Sequence, residues 1–279
     1  MFVHLNGRLV TEAEALIPIT DRGFQLGDGV FETLRVYRGT PFRWNAHIER
    51  LNQGLATLRI KAPLTDYELR AAADLLIARN NVTDCIVRIQ ITRGTGQRGY
   101  SPRGADNPTI VITTHPAPEI PAPAPRRTLI TSSHRVQSDC PLASIKSTNR
   151  LVNILAKDEA ERQGADDAIL ANERGEAAEL TSSNIFWTTG NEIHTPPISC
   201  GALPGITRAT VMEVAVGLGY GCVETACPVV ELKNKEGVFL TVSTWEVLEV
   251  ASIDGKPVTP SPLVEEIRLA YRKLVEKET

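Results

Sequence analysis

Apolar and polar positions alternate at the start of the chain. FVHLNGRLV has alternating arms around Asn6-Gly7, the pattern of a tight hairpin, and GVFETLRVYRGTPF reads as a second one. From Trp44 to Leu58 the period changes. Ile48, Leu51, Leu55 and Leu58 recur at three- and four-residue steps, which predicts a helix with a polar outer face. A second helix is expected over Leu64–Asn80, then strands at Cys85–Thr92 and Thr109–Thr114. The run HPAPEIPAPAPRR, from His115 to Arg127, holds five prolines, too many for a helix interior or a central strand. It therefore reads as an interdomain linker, with an α+β domain over residues 1–115, the linker over 116–127 and a second domain over 128–279.

In the second domain Ser147–Gln163 has helical periodicity, with Leu151, Ile154 and Leu155 on its apolar face and Gly164 as a stop. Short strands follow at DDAILAN, NIFWTT and EIHTP, punctuated by turns at ERGE and GN. Pro204 and Gly205 precede a helix expected from about Thr207, whose apolar face is Val211, Val214, Ala215 and Leu218. Strands at Gly237–Ser243 and Glu246–Ile253 and a helix at Leu263–Lys277 complete the pattern.

Composition narrows the class. A chain of 279 residues suits two modest domains or one large one, and 42% hydrophobic with 23% charged residues excludes wholesale disorder and fibrous architecture. Lys plus Arg number 30 against 33 for Asp plus Glu, so the electrostatic footprint of a nucleic-acid binder is absent. No run approaches the ~18 apolar residues of a membrane span, and the N-terminus lacks the features of a secretory signal, so a cytoplasmic protein with no membrane partner is expected. Cys85, Cys140, Cys200, Cys222 and Cys227 contain no Cys-x-x-Cys, which argues for plain thiols over a disulfide framework or a metal site.

One lysine stands out by its companions. Lys146, in PLASIKSTNRL, falls where an irregular stretch meets a helix; alone it is a solvated charge, but a lysine in a partly desolvated pocket can form a Schiff base with an aldehyde. Pro204-Gly205-Ile206-Thr207 runs a turn into a helix N-terminus, where free amides and the helix dipole favour phosphate, although a capped helix would read the same way. Arg50 offers a guanidinium for that phosphate, unless a carboxylate such as Glu49 or Glu14 takes it. Glu179 sits at the edge of an apolar strand, where a carboxylate needs a partner or faces solvent. If Lys146 holds pyridoxal phosphate, such a carboxylate could keep the pyridine nitrogen protonated.

These motifs, together with DRGFQLGDGVFETLRVYRG, HIERL, RIQITRGTGQRGYSP, IKSTNRLVNILAKDEA, GADDAILANERGEAAELTSSNIFW, LPGITR and LTVSTWEVLEV, resemble the class IV aminotransferases, the fold-type IV pyridoxal-phosphate enzymes. The resemblance spans nearly the whole chain. It implies a small α/β N-terminal domain and a C-terminal pseudo-barrel with the cofactor in the cleft between them, and a homodimer. It also implies that Lys146 is the Schiff-base lysine and proton shuttle, and that Glu179 meets the pyridine nitrogen. Arg50, Gly205, Ile206, Thr207 and one of Ser243 or Thr244 would hold the phosphate, while Leu203, Ser183 and Asn184 would line the ring. Phe31, Thr33, Arg93, Arg98 and Tyr100 are the expected substrate contacts, with the arginines as carboxylate clamps.

Family members diverge after a shared first half-reaction on an amino substrate. Arg-Gly-Tyr-Ser in the 98–101 stretch, Asn149-Arg150-Leu151 after the lysine, and STWEVLEV in place of a Gly-Thr-Ala-Ala-Glu stretch lean towards 4-amino-4-deoxychorismate lyase, which releases pyruvate and p-aminobenzoate. The alternative is a transaminase of D-amino acids or branched-chain amino acids with 2-oxoglutarate or pyruvate as acceptor. A binding module that keeps the fold without the chemistry is the third reading. The joint presence of Lys146, Glu179 and Thr207 speaks against it.

Overall fold

The computed structural model describes residues 1–121 and 123–279, and its internal contacts divide the chain into two units. The first comprises Met1–Pro118, Ile145–Asn149 and Glu278–Thr279; the second comprises Glu119–Ser144 and Arg150–Lys277. The continuous division expected at 115 and 128 is therefore interrupted, because the stretch around Lys146 joins the first unit. Ala122, inside the expected linker, lies outside the described residues.

In the first unit β1 (Phe2–Leu5) and β2 (Arg8–Thr11) form the opening hairpin, and Asn6 and Gly7 take φ +49° and +81°, the left-handed pair a type I′ turn requires. A short helix, α1 (Arg22–Leu26), follows; it is too brief to show periodicity and begins at Asp21, whose side chain accepts from Gly23 N. Next come β3 (Gly29–Tyr37) and β4 (Thr40–Pro41), then α2 (Trp44–Leu58) and α3 (Asp66–Arg79), then β5 (Cys85–Thr92) and β6 (Thr109–Pro116). The strands make one antiparallel sheet in the order β2-β1-β6-β5-β3-β4.

Period-two alternation gives this sheet two different faces. Val30, Glu32, Leu34 and Val36 pair in register with Ile91, Ile89, Val87 and Cys85, and α2 covers this face with Ile48, Leu51 and Leu55 buried. The other face carries Phe31 opposite Gln90 and Thr33 opposite Arg88. Because β4 pairs with β3 only at its far end, the edge of β3 near Gly29 is open to another strand. The Lys146 stretch fills it: Phe31 N donates to Lys146 O at 2.9 Å, Thr148 N to Gly29 O at 2.9 Å, and Ser147 bridges Val30. Extended there, these residues cannot begin the helix expected from Ser147.

The second unit contains β7 (Arg127–Val136), α4 (Leu151–Arg162), β8 (Asp167–Asn172), β9 (Ala177–Leu180), β10 (Asn184–Thr189) and β11 (Glu192–Thr195). It continues through α5 (Ile206–Gly217), β12 (Gly221–Glu224), α6 (Val229–Leu232), β13 (Glu236–Val242), β14 (Glu246–Ile253), β15 (Lys256–Pro257) and α7 (Pro262–Glu278). The sheet order is β12-β11-β10-β13-β14-β7-β8-β9, with β15 attached to β14. It curls: Ala177 N donates to Cys227 O and Leu180 N to Ser183 O, both at 2.8 Å. A core containing Leu129, Ile169, Leu180, Ile185, Trp187 and Leu240 is buried in it.

α4 packs by the face opposite to the one expected. Ala156 and Ala160 meet Ile130, Ala168 and Leu170, whereas Leu151 and Ile154 are 69% and 60% exposed. Small side chains allow the helix to approach β7 and β8 closely, which larger ones would prevent.

Candidate active site

Glu32 points from β3 to the helix-covered face, where a lone carboxylate would be very costly. It is fully buried and fully engaged: Arg50 donates Nε and Nη2 to it at 2.7 and 2.8 Å, and His47 Nδ1 lies 2.7 Å away. Burial alone would raise the Glu32 carboxyl, but His47 and Arg50 outweigh it and hold it down to about 2. Burial lowers His47 from its ordinary value despite the attraction of Glu32. Arg50 thus has a carboxylate partner from β3, neither Glu49 nor Glu14, and this partner fixes the guanidinium plane.

Lys146 lies on the other face. Its Nζ is 4.6 Å from the centroid of the Phe31 ring, and the Arg88 guanidinium stands 4.0 Å from the same centroid. Thr33, opposite Arg88, shares this face. Arg88 donates to Gln90 Oε1 at 3.0 Å, and burial lowers its guanidinium from the ordinary value. Arg88 was not singled out in the sequence, although IVRIQIT carries the signal: Arg88 and Gln90 are the polar positions of an alternating strand between buried Val87, Ile89 and Ile91.

The three remaining substrate contacts expected from sequence are placed differently. Arg93 is buried and committed. Its Nε and Nη2 bind Asp28 at 2.8 and 3.0 Å, and its Nη1 and Nη2 donate to Arg59 O and Leu58 O at 3.2 and 2.7 Å. It clamps the end of α2, and most of its donors are taken by Asp28 and these two carbonyls. Arg98 and Tyr100 lie on an exposed stretch, Tyr100 at 89%.

In the second unit the expected cofactor residues are gathered. Glu179, buried on β9, accepts from Leu203 N at 2.8 Å, and Asn184 Nδ2 donates to Leu203 O at 2.9 Å. Gly205 precedes α5 and has no side chain to cap it, so the amides at Ile206 and Thr207 open the helix. A Cβ at Gly205 would meet Asn184 Oδ1 at 1.9 Å, so only glycine allows this approach. Thr207 Oγ1 is 3.3 Å from Ser243 Oγ, which brings Ser243 beside the helix start. Ser183 is buried at the turn into β10 and contributes its carbonyl to Leu180.

This donor set fits a phosphate attached to a heteroaromatic ring. A helix N-terminus preceded by glycine and two adjacent hydroxyls suit the phosphate. The Thr241 hydroxyl, paired in register with Asn184, is buried without a hydrogen-bond partner. No group of His, Cys, Asp and Glu able to hold a metal occurs among the described residues.

Comparison with known proteins agrees. Residues 29–253 match the family model described as amino-transferase class IV. A putative branched-chain-amino-acid aminotransferase of Methanocaldococcus jannaschii is 34% identical over 99% of this chain and 95% of its own. A D-alanine aminotransferase of Bacillus licheniformis is also 34% identical, over 100% and 99%. An aminodeoxychorismate lyase of Bacillus subtilis is 30% identical over 90% and 86%. Among solved structures, a branched-chain aminotransferase of Thermoproteus uzoniensis with norvaline superposes at TM-score 0.93, 29% identical, covering 99% of this chain and 94% of that one. Another branched-chain aminotransferase, also at TM-score 0.93, is solved with pyridoxamine 5'-phosphate. The chain belongs to the class IV aminotransferases, and its cofactor is pyridoxal 5'-phosphate. Among the described residues no helix is long and apolar enough to cross a membrane.

Proposed function

We propose that the protein is an aminotransferase acting on amino acids, with Arg88 as the anchor for a substrate carboxylate. The observation that carries this is the pair of cations on one ring, Arg88 at 4.0 Å and Lys146 Nζ at 4.6 Å from the Phe31 centroid. A guanidinium at that spacing orients an acid whose amine is presented to the lysine. The two aminotransferases at 34% identity support the same reading.

Bound pyridoxal phosphate supplies the aldehyde that captures the amine and the ring that accepts an electron pair. In this reading Lys146 attaches it and, as a neutral amine, takes the α-proton of the substrate. Arg50, Thr207, Ser243 or Thr244, and the amides of Ile206 and Thr207 would hold the phosphate. Glu179, oriented by Leu203 N, would meet the pyridine nitrogen, and Leu203 and Asn184 would support the ring. Phe31 forms the apolar wall that keeps Lys146 partly desolvated. The protein works as a homodimer, with the apolar outer face of α4 as part of the shared surface.

The lyase is the second reading. It is favoured by the Arg98–Ser101 sequence and by the 30% identical lyase. Incubation with aminodeoxychorismate, and in parallel with D-alanine or L-leucine plus 2-oxoglutarate, separates the two. Keto-acid formation that requires the acceptor supports the transaminase; equal pyruvate and p-aminobenzoate without acceptor would replace it with the lyase. Lys146→Ala should remove the visible absorbance of the attached cofactor and lower turnover by about 10²–10⁴-fold. Persistence of that absorbance would show that another residue attaches it.

A further inference from the structure

Asp28 occupies the two-residue interval between α1 and β3, and it is the meeting point of two buried arginines. Arg22 Nε donates to its Oδ2 at 2.8 Å; Arg93 donates Nε to Oδ2 at 2.8 Å and Nη2 to Oδ1 at 3.0 Å. Each arginine passes the constraint on to a different segment. Arg22 donates Nη1 to Gly99 O and Ser101 O at 3.0 and 3.1 Å, and Nη2 to Tyr100 O at 3.2 Å. Three consecutive carbonyls of the stretch bearing Arg98 and Tyr100 therefore hang on one guanidinium. Arg93 holds Leu58 O and Arg59 O at the end of α2, the helix that bears Arg50. The glycines flanking Asp28 complete the arrangement. Thr148 Oγ1, two residues beyond Lys146, donates to Gly27 O at 2.6 Å and lies 3.2 Å from Gly29 O.

We propose that Asp28 is a positioning residue that sets two segments in register through two arginines, the 98–101 stretch by Arg22 and the α2 helix by Arg93, between the two glycines whose carbonyls hold the Lys146 stretch. This rests on the proposed reading of Lys146 and Arg50 as site elements, and on the expectation from sequence that Arg98 and Tyr100 meet substrate. Guanidinium is needed in both places, because an ammonium cannot reach a carboxylate and several carbonyls in one plane. The two arms are consequently separable by chemistry that preserves charge.

The test uses holoenzyme with Arg22→Lys, Arg93→Lys and Asp28→Asn. Three readouts are followed: amide hydrogen exchange over residues 97–103, affinity for pyridoxal phosphate by titration of stripped protein, and KM against kcat for the donor that the wild type turns over. Arg22→Lys should speed exchange over 97–103 and raise KM, each about tenfold, with cofactor affinity and kcat nearly unchanged. Arg93→Lys should weaken cofactor affinity about tenfold and leave exchange over 97–103 as in the wild type. Asp28→Asn should show both effects. If Asp28→Asn fails to fold, the two lysine variants decide the question. Equal, parallel losses in both, following thermal stability, would overturn the proposal and leave Asp28 as ordinary scaffolding, as would unchanged exchange in Arg22→Lys. Exchange and cofactor affinity are read without turnover. If they separate as stated while no amino donor reacts, the proposed reaction fails and the positioning role stands.

Discussion

In the lysine-bearing unit the polar groups beside the site are built on matched charges, Glu32 with Arg50 and the His47 imidazole, and Asp28 with Arg22 and Arg93. In the unit that carries Glu179 they are mostly neutral: hydroxyls of Thr207, Ser243 and Thr241, the amide of Asn184 and the backbone at the start of α5. Matched charges in a poorly screened interior hold geometry tightly, but each member depends on all the others. Neutral dipoles contribute in small, separable increments. The first unit should therefore fail abruptly when one group is removed, and the second gradually.

The largest effect is expected at Glu32. Glu32→Gln leaves Arg50 as an uncompensated buried charge and should cost about 3–5 kcal/mol in urea unfolding of the stripped protein, whereas Glu32→Gln with Arg50→Met should recover much of that loss. A single-variant cost under about 1 kcal/mol would break the contrast between the units.

Acid should act on the same group. The Glu32 carboxyl is held at about 2 in the folded protein against 4.5 ordinarily, so the folded state resists protonation more than the unfolded one. Its stabilisation is complete above pH 4.5 and is lost as pH falls towards 2, a change of about 3 kcal/mol at 1.36 kcal/mol per pH unit. His47, also lowered, adds loss in the same direction below its ordinary value of 6.5. Thermal unfolding of wild type and Glu32→Gln from pH 7 to pH 2 should show this acid-dependent loss shrinking in the variant.

Smaller effects belong to the other unit. Gly205→Ala places a Cβ against Asn184 Oδ1 and should cost about 1–3 kcal/mol, read as weaker cofactor affinity and a lower Tm. Thr207→Val and Ser243→Ala should each weaken cofactor binding by about 1 kcal/mol, roughly fivefold, in titrations of stripped protein. Near-additive losses in the double variant would sharpen the comparison. A collapse of binding in either single variant would erase it.

Local pattern made much of this fold legible. α2 and β5 occupy the residues read from periodicity, and Asn6-Gly7 makes the turn that its residue types require. Periodicity also located α4, but it misjudged which face is buried, since an apolar stripe does not reveal how closely a helix must approach a sheet. β7 was not anticipated; only its first residue, Arg127, overlaps the polar RR end of the proline run. Around the proposed site, Glu179, Leu203, Asn184 and Thr207 stand out in the sequence because they fall in short motifs, and the contacts among Glu179, Leu203 and Asn184 join two of those motifs. Arg93 was misjudged because its partner, Asp28, is remote in sequence. Glu32, His47 and Arg88 became visible only when strand register showed which side chains share a face.

The placement of Ile145–Asn149 bears on synthesis of the chain at the ribosome. When residues 1–118 have emerged, all six strands of the first sheet exist, yet the edge of β3 near Gly29 is bare. It stays bare until the nascent chain has made β7 and reached Thr148, so early folding leaves an adhesive edge exposed for tens of residues of translation. The segment that finally covers that edge is the one that delivers Lys146, and completion of the first sheet coincides with arrival of the reactive amine.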